Sequence, residues 1–257
     1  MVVVGMIPAR YASTRFHGKV LAPIAGKPMV QHVYERARQA KTLQSVIIAT
    51  DDDKVANAAR AFGAEVAITS PDHASGTDRL AEVAWAVECD VVVNIQGDEP
   101  LIEPSIIDRA VKPLLSEAEV SMSTLAAFAT REEYLEPSTV KVVCDASGDA
   151  LYFSRAPLPH LRIDNPADRD AAMGELVHPE SGCRPLKHIG LYVYRKETLL
   201  WYAGLPKSVL EATEGLEQLR VLENGCKIRV VEVDYSPIGV DTPDDLERVQ
   251  ELMEAAC

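Results

Sequence analysis

The stretch VVVGMIPARYASTRFHGKVL, residues 2–21, begins as an apolar run and continues directly into a cationic loop. The run VVVGMI is typical of a strand that is buried on both faces of a sheet. Arg10, Arg15 and Lys19 follow it within the same stretch. Three cations close together at a strand end predict a bound anion. The alternative is that all three are solvated surface charges.

Three more short apolar runs follow, at residues 45–50, 64–69 and 90–96. Segments with helical periodicity separate them, namely KPMVQHVYERARQAK (27–41), DDDKVANAARAFG (51–63) and GTDRLAEVAWAVE (76–88). Strand alternating with helix predicts βαβ units, and therefore an α/β fold with a mainly parallel sheet and helices on both faces. In such sheets, ligands bind beyond the carboxyl ends of the strands.

The pattern changes after residue 119, where strand-like segments follow one another with fewer helices between them. These segments are VSMSTLAAFA (120–129), TVKVVCD (139–145), ALYFSR (150–155), HIGLYVYR (188–195) and KIRVVEVD (227–234). They predict that the central sheet is mixed. Residues 164–186 are rich in Asp, Pro and Gly, which predicts a long surface excursion. No linker marks a boundary, so the simplest prediction is one domain over residues 1–257.

The overall composition narrows the function classes. The chain of 257 residues has a net charge of −13, without the general basic character that nucleic acid or an anionic membrane requires, so we expect neither as a partner. Its five cysteines are scattered, which favours reduced thiols over a disulfide framework or a zinc site. Residues 1–7 are too short for a signal peptide, and no apolar run approaches the roughly 20 residues that span a bilayer. We therefore expect a cytoplasmic protein.

The common phosphate-binding loops are missing from the sequence. No GxGxxG follows the first strand and no GxxxxGK[ST] occurs, which disfavours a nicotinamide dehydrogenase and a P-loop enzyme. The first loop instead provides side-chain cations and hydroxyls, including Ser13. Arginine binds phosphate oxygens bidentately, and lysine acts as a compact charge. A polyphosphate bound there would lie beside the N-terminus of the helix predicted to begin near Pro28, whose dipole would favour it.

Two acidic residues later in the chain suit a metal ion placed between the protein and a polyphosphate. Asp98 follows a predicted strand within NIQGDEP, and Asp241 lies in GVDTP between a strand and a helix. Mg²⁺ is commonly held by one or two carboxylates plus phosphate oxygens. Each aspartate also has a simpler interpretation. Asp98 would belong to a turn, and Asp241 would precede a helix whose capping box is Thr242 and Asp245.

The segment SGTDR, residues 75–79, is a weaker indication of a nucleotide site. Its functional interpretation assigns Ser75, Thr77 and Arg79 to a nucleotide base or ribose. Its simpler interpretation is that Ser75 and Asp78 cap the helix that follows.

Seven motifs occur in order along the chain, namely IPARYASTRFHGK, SGTDR, NIQGDEP, ALYFSRAPLP, KHIGLYVYR, GLEQLRVLENG and VDTPDDLE. Together they closely resemble the 3-deoxy-manno-octulosonate cytidylyltransferase family over nearly the whole chain. The resemblance implies a Rossmann-like nucleotidyltransferase fold and a homodimer. It also implies transfer of CMP from CTP to the anomeric 2-hydroxyl of 3-deoxy-manno-octulosonate (Kdo), with Mg²⁺ and release of pyrophosphate, in lipopolysaccharide biosynthesis.

The resemblance further implies roles for parts of the chain. Residues 1–119 would form the nucleotide-binding half, and residues 120–257 the sugar-binding and dimerisation half. The residues on the triphosphate would be Arg10, Ser13, Arg15 and Lys19, with Ser75 and Thr77 near the cytidine. Asp98 and Asp241 would bind the metal and, with Arg10 and Lys19, form the catalytic set. The residues facing the sugar would be Gln96, Arg155, His188, Tyr192, Glu217 and Gln218.

These residue types agree with an acidic, hydroxylated sugar as substrate. Arg155 is able to pair with the carboxylate of Kdo, and the other side chains offer hydrogen-bond donors and acceptors. His188 and Tyr192 lie four residues apart in a predicted strand, and therefore on one face of it. No dedicated general base is evident. His188 is one candidate, but activation of the sugar hydroxyl by the metal is the favoured hypothesis.

The chain departs from the family at His17 and Val20, because the family usually has the sequence FPGKPL here, with prolines at these two positions. Loss of two prolines predicts a looser loop around Lys19, one that orders only when CTP binds. Two alternatives to the function stay open. One is the same reaction on 8-amino-3,8-dideoxy-manno-octulosonate, although the sequence shows no convincing acidic cluster for its ammonium group. The other is a catalytically silent nucleotide-sugar binding protein, against which the two aspartates argue.

Overall fold

The structure, a computed structural model, describes residues 1–12, 16–162, 174, 176–177 and 182–255. Its secondary-structure elements have the following bounds. In chain order they are β1 (Val3–Pro8), β2 (Pro23–Ile24), β3 (Lys27–Pro28), α1 (Met29–Ala37), β4 (Ser45–Thr50), α2 (Asp53–Ala61), β5 (Glu65–Ile68), α3 (Gly76–Ala86), β6 (Val91–Asn94), α4 (Pro104–Ser116), β7 (Met122–Phe128), α5 (Arg131–Leu135), β8 (Lys141–Cys144), β9 (Ala150–Ser154), β10 (Leu186–Arg195), α6 (Lys196–Ala203), α7 (Val209–Glu214), α8 (Leu219–Glu223), β11 (Arg229–Glu232) and α9 (Pro243–Ala255).

The chain divides into two compact units. The first contains Met1–Glu119, Leu191–Gly204 and Pro237–Cys257, and the second contains Val120–Gly190 and Leu205–Ser236. The first unit thus contains residues 1–119, which are the predicted nucleotide-binding half, together with two later segments of the chain. That residues 1–257 act as a single domain stays a prediction.

The sheet of the first unit has the strand order β10–β6–β1–β4–β5. β6, β1, β4 and β5 run parallel to their neighbours, while β10 pairs antiparallel to β6 through residues 192–195. This arrangement confirms the mixed, mostly parallel sheet that the sequence predicts. In a parallel set, the carboxyl ends share one edge, so the chain leaves β1, β4, β5 and β6 on the same side.

Helices cover both faces of this sheet. Every residue from Val3 to Ile7 in β1 is buried, and so are all 4 residues of β6. Because successive side chains of a strand point to opposite faces, burial of every position requires cover on both sides. Helix α1 contacts α4, and helix α3 contacts α6. The four predicted strands and three predicted helices of this half are confirmed, with shifts of one to a few residues at their ends.

The second unit is built from shorter pieces. β7 pairs parallel with β11, while β8 pairs antiparallel with β9 and with the start of β10. All five strand-like segments predicted after residue 119 are strands. The short helices α5 and α7 were not predicted, although each begins with a capping box, Thr130 with Glu133 and Ser208 with Glu211. That four-residue signal is local, and helices of 5 and 6 residues are too short to show periodicity.

Three further expectations concern the chain as a whole. Among the described residues, no helix has both the length and the apolar character needed to cross a membrane. Cys89, Cys144, Cys183 and Cys226 are free thiols. The predicted excursion over residues 164–186 falls mainly outside the described ranges.

Candidate active site

Three segments that are far apart in sequence meet at the ammonium group of Lys19. Its Nζ donates hydrogen bonds to Asp98 Oδ2 at 2.7 Å, to Asp241 Oδ1 at 3.0 Å and to the carbonyl oxygen of Val240 at 3.0 Å. The Lys19 side chain is only 13% exposed, against 31% for Asp98 and 44% for Asp241. All of these residues belong to the first unit. The structure therefore brings together three of the four residues predicted to be catalytic.

The position of Asp98 follows from the end of β6. The chain turns back over the end of β1 at Gly97, where an added Cβ would lie 3.1 Å from the carbonyl oxygen of Pro8. That distance is shorter than most contacts made by a Cβ atom, so the close approach favours glycine. The carbonyl of Asp98 in turn accepts a hydrogen bond from Val240 N at 2.9 Å, which ties the Asp241 segment to this turn.

Asp241 is positioned by the start of α9. Thr242 Oγ1 accepts a hydrogen bond from Asp245 N at 3.2 Å, and Asp245 Oδ2 accepts one from Thr242 N at 2.9 Å. The predicted capping box is thus confirmed. Asp245 Oδ2 also accepts from Asp241 N at 3.0 Å, so the helix cap holds the backbone of Asp241 while its carboxylate contacts Lys19.

The carboxylates set the electrostatics of this cluster. Burial lowers the pKa of Lys19, but the charges and hydrogen bonds of Asp98 and Asp241 outweigh burial, so the pKa of Lys19 is raised. Beside them, burial and the charge of Asp98 raise the pKa of Glu99 to about 7. Lys19 is therefore a firmly protonated cation held between two carboxylates.

The same geometry tests whether Asp98 and Asp241 fit a divalent cation. One oxygen of each carboxylate contacts a single atom, the Nζ of Lys19, so the two oxygens converge on one point as the ligands of a cation must. Carboxylate oxygens are hard ligands, which Mg²⁺ prefers. Within the described residues, no group of three or more His, Cys, Asp or Glu forms a metal site. Two carboxylates plus ligands from a nucleotide and water are the set that fits.

Arg10 and Ser75 lie at the same edge of the sheet. Arg10 Nη2 donates to the carbonyl oxygens of His73 at 2.5 Å and of Ser75 at 3.2 Å. Ser75 forms the capping box of α3 with Asp78, so its simpler interpretation as a helix cap is confirmed. Arg10 thus fastens the cationic loop to the start of α3. The predicted contacts of Ser75 and the buried Thr77 with cytidine stay predictions.

Arg79 supports this edge from inside the fold. Its side chain is fully buried, Nη2 lies 3.2 Å from Asp51 Oδ1, and Nη1 donates to the hydroxyl of Thr69. The guanidinium therefore joins the ends of β4 and β5 to α3, whereas its predicted contact with a nucleotide stays a prediction. Asp51 and Thr69 were not singled out from the sequence. The signal that would have found them is their position just after β4 and β5, at the carboxyl edge of the sheet.

The described part of the loop before Lys19 is organised around Tyr11. Gly18 has a φ of 71° and donates its N–H to the carbonyl oxygen of Tyr11 at 2.9 Å. The ring of His17 meets the ring of Tyr11 edge-on at 4.8 Å, and the ammonium of Lys54 lies 4.7 Å from the centre of the same ring. His17, one of the two departures from the family, thus packs within the loop. Ordering of the loop by CTP stays a prediction, and Ser13 and Arg15 lie outside the described residues.

The six residues predicted to face the sugar are divided between the units. Gln96 and Tyr192 belong to the first unit, and both are half-buried. The ring of Tyr192 stacks on Tyr194, with a distance of 6.0 Å between the ring centres. In the second unit, Glu217 is exposed and Gln218 is buried, on the turn that leads into α8.

His188 is held in a neutral state. Its Nε2 lies 2.8 Å from Thr124 Oγ1, and its ring meets Phe153 edge-on at 5.0 Å. Burial lowers the pKa of His188 to about 3. A base needs a pKa near the working pH to accept a proton efficiently, so this value favours the hypothesis that His188 is not the general base.

Arg155 is anchored on backbone groups of the second unit. Its Nε donates to the carbonyl oxygen of Glu214 at 2.9 Å, and Nη1 donates to that of Pro137 at 3.2 Å. The carboxylate of Glu214 accepts from Arg155 N at 2.9 Å and from Ser154 Oγ at 2.6 Å. Glu214 thus orients Arg155, and nothing in its sequence neighbourhood pointed to that role because the two residues are far apart in the chain.

Comparison with known proteins agrees with this arrangement. The family described as Cytidylyltransferase matches residues 4–228. The chain is 53% identical to a 3-deoxy-manno-octulosonate cytidylyltransferase of Geobacter sulfurreducens over 257 residues, covering 99% of this chain and 100% of that one. A similar protein of Solibacter usitatus with the same description is 54% identical over 255 residues, covering 99% of this chain and 95% of that one.

Two solved structures extend the comparison to three dimensions. One is described as CMP:2-keto-3-deoxy-manno-octonic acid synthetase complexed with CTP, with a TM-score of 0.89, 43% identity and full coverage of both chains. A cytidylyltransferase of Leptospira borgpetersenii, with a TM-score of 0.65 and 17% identity over 99% of this chain and 87% of that one, shares the fold. The predicted Rossmann-like nucleotidyltransferase fold is confirmed, and the chain belongs to the 3-deoxy-manno-octulosonate cytidylyltransferase family.

Proposed function

We propose that this chain transfers CMP from CTP to the anomeric 2-hydroxyl of Kdo, giving CMP-Kdo and pyrophosphate. The observation that carries the proposal is the convergence of Asp98 and Asp241 on one cationic atom at the carboxyl edge of the sheet. This convergence occurs in a chain that is 53% identical, over nearly its whole length, to a protein described as 3-deoxy-manno-octulosonate cytidylyltransferase. A nucleotidyltransferase requires such a site, because the reaction brings a tetra-anionic nucleotide to an acidic protein surface.

The nucleotide would lie against the first unit. Arg10 and Lys19, with Ser13 and Arg15, would bind the triphosphate and orient its α-phosphorus towards the sugar. Asp98 and Asp241 would hold Mg²⁺, which when bound supplies charge neutralisation on the phosphate oxygens and lowers the pKa of the attacking hydroxyl. The contribution of the protein is then positioning and electrostatic stabilisation, as is usual in transfer at phosphorus.

The sugar would be held by hydrogen bonds and one ion pair. Arg155 is the proposed partner of the Kdo carboxylate, and its guanidinium is already oriented by the carbonyl oxygens of Glu214 and Pro137. Neutral His188 serves as a hydrogen-bonding group in this scheme, because its pKa of about 3 makes it a weak base. Gln96, Tyr192, Glu217 and Gln218 would complete the set.

The proposal includes a cellular setting. We place the enzyme in the cytoplasm as a homodimer that supplies activated Kdo for lipopolysaccharide biosynthesis. Free thiols at Cys89, Cys144, Cys183 and Cys226 are compatible with a reducing compartment. The names of the relatives support Kdo as the sugar over its 8-amino analogue, and the paired carboxylates support an enzyme over a silent binding protein.

The direct test is pyrophosphate release in the presence of Mg²⁺. CTP, UTP and ATP are each combined with Kdo or with its 8-amino analogue, and release is followed by a coupled phosphate assay. We expect rapid release with CTP and Kdo alone. Preference for the amino sugar would keep the chemistry and change the substrate. Absence of pyrophosphate release with every pair of nucleotide and sugar would contradict the proposed activity.

A further inference from the structure

The ammonium group of Lys19 lies where a cation bound to Asp98 and Asp241 would lie. Its Nζ is 2.7 Å from one carboxylate and 3.0 Å from the other. These distances are those of direct hydrogen-bonded ion pairs, with no room for another ion between the groups. Lys19 is also one of the residues proposed to bind the triphosphate. One ammonium group cannot fill the space between two metal ligands while that space holds a divalent ion.

We infer that Lys19 is an exchangeable internal cation. Without nucleotide it neutralises Asp98 and Asp241 and competes with divalent metal for them. When CTP arrives with its metal ion, the ammonium moves from the carboxylates to the triphosphate, and the metal takes its place. This inference rests on the proposed metal-binding role of the two aspartates and adds the residue that controls access to them.

Electrostatic repulsion explains why Lys19 and a divalent ion exclude each other from the two carboxylates. Two carboxylates whose oxygens converge on one point repel each other, and one adjacent positive charge relieves that repulsion. A divalent ion at the same point would repel an ammonium group left in contact with the carboxylates. The triphosphate provides an alternative set of anionic oxygens for the lysine, so metal and nucleotide favour each other's binding through Lys19.

The structure allows this movement. Lys19 begins a short 3₁₀ turn, Lys19–Leu21, directly after Gly18. Its side chain has a flexible four-carbon stem, so the ammonium is able to change partners while the backbone stays in place. The bond to the Val240 carbonyl at 3.0 Å orients the ammonium in the nucleotide-free state and adds no charge. The consequence is that free metal binds weakly and enters together with the nucleotide.

The test measures metal binding without nucleotide. Mn²⁺ is titrated into the wild-type protein, Lys19→Met and Lys27→Met, and free Mn²⁺ is followed by electron paramagnetic resonance. Lys27→Met is the matched control, because Lys27 forms an ion pair with Glu35 in which the two side chains are 45% and 41% exposed. We expect Lys19→Met to bind Mn²⁺ roughly tenfold more tightly than wild type, on the scale of one or two partly exposed ion pairs. We expect Lys27→Met to match wild type.

Two further arms complete the experiment. Adding Asp98→Asn to Lys19→Met should remove the gain in Mn²⁺ affinity, which assigns it to the carboxylate. In the wild-type protein, saturating Mn²⁺ should increase modification of Lys19 by an amine-reactive reagent, because a displaced ammonium is exposed. This second measurement needs no variant and decides the matter if Lys19→Met does not fold by circular dichroism.

The outcomes separate this inference from the proposed function. Unchanged or weaker Mn²⁺ binding by folded Lys19→Met, or unchanged labelling of Lys19 in wild type, would overturn the exchange. If Asp98→Asn and Asp241→Asn still lose turnover in that case, the proposed metal-dependent reaction stands without it. If both asparagine variants keep near-normal turnover, the metal assignment itself fails, whatever the Mn²⁺ titration shows.

Discussion

At the residue scale, the properties of Lys19 come from its neighbours. A lysine in a loop is ordinarily solvated, but this one has a 13% exposed side chain and contacts two carboxylates. The ion pairs are partly exposed, so their contribution to stability is modest, about 1 kcal/mol each. Their importance is that they hold the proposed catalytic groups together. Substitutions here should therefore affect turnover far more than folding.

The first prediction concerns the two carboxylates. Asp98→Asn and Asp241→Asn should each lower turnover by about 100-fold or more, because a neutral amide binds a divalent cation much less well. The fold should persist by circular dichroism, since each asparagine can keep its hydrogen bonds. Steady-state pyrophosphate release at saturating CTP is the measurement. Asp53→Asn, at an exposed position in the first turn of α2, is the control and should retain wild-type rates.

The second prediction concerns Gly18. Alanine is strained by about 1–2 kcal/mol in the left-handed region, where Gly18 has a φ of 71°. An added Cβ would also meet the ring of Tyr11 at 3.2 Å, so Gly18→Ala should displace the backbone next to Lys19 and raise KM for CTP. Gly63 supplies the matched control, because it has a φ of 81° and nothing within 4 Å of an added Cβ.

Urea unfolding and CTP kinetics on both glycine variants separate strain from positioning. Gly18→Ala and Gly63→Ala should lose similar stability from backbone strain, but only Gly18→Ala should change KM for CTP. Equal kinetic effects in the two variants would mean that general destabilisation, and not the Tyr11 contact, is responsible.

At the scale of the secondary-structure elements, two short helices in the second unit are joined by one largely buried ion pair. Arg220 Nε and Nη2 donate to the two carboxylate oxygens of Glu211 at 2.7 Å and 2.6 Å, which joins α7 to α8. The two side chains are 13% and 5% exposed. Helices of 6 and 5 residues have little stability of their own, so this bidentate contact determines their packing.

The third prediction follows from this contact. Arg220→Met should destabilise the protein by about 3–5 kcal/mol, because Glu211 is left as a buried and uncompensated charge. Lys227→Met is the contrast, since Lys227 is 74% exposed in its pair with Asp149 and its loss should cost far less stability. Chemical denaturation measures both. Adding Glu211→Gln to Arg220→Met should recover part of the loss, and failure to recover any would point to lost packing of the arginine stem.

At the scale of the whole molecule, five less exposed groups that make folding sensitive to acid lie in the second unit. The hydrogen bond from Arg220 lowers the pKa of Glu211. For Glu133, Asp149 and Glu214, burial raises the pKa but hydrogen bonds outweigh it, so the net direction is also downward. Burial lowers the pKa of His188 to about 3. All five groups bind protons more readily in the unfolded chain.

The fourth prediction is the resulting dependence of stability on pH. The contribution of neutral His188 is fully present above its ordinary pKa of 6.5 and is lost as the pH falls from there towards 3. The contributions of the carboxylates are present above their ordinary values of 4.5 and 3.8 and are lost as the pH falls through the lower folded values. On acidification these losses form an upper step from His188 and a lower step from the carboxylates, and protonation of Glu99, whose pKa is raised to about 7, opposes the upper step.

Urea unfolding between pH 8 and pH 3 gives the two steps, and hydrogen exchange should show that residues of the second unit lose protection first. His188→Gln carries no titrating group and should remove the contribution of the histidine to the upper step, leaving that of Glu99 and the lower step. Identical changes in stability between pH 6.5 and 5 for the wild-type protein and His188→Gln would contradict the neutral state of His188.

Much of this architecture was predictable from local patterns. The apolar runs placed β1, β4, β5 and β6, and the rule that ligands bind at the carboxyl edge of a parallel sheet placed Asp98 beside the cationic loop before any contact was known. The capping box at Thr242 and Asp245 was equally readable. These features are predictable because periodicity and helix caps depend on residues only a few positions apart. The ordered motifs were sufficient to identify the family.

Only the tertiary structure determined which side chains meet. Lys19 reaches Asp98 across 79 positions and Asp241 across 222, and no short-range pattern encodes such contacts. Full burial of Arg79 and the lowered pKa of His188 likewise depend on what packs around them. The sequence by itself determined the strands, the chemistry available at their ends and the family. Folding determined that one lysine lies between the two carboxylates, because burial, charge compensation and hydrogen-bond geometry exist only once distant segments are packed together.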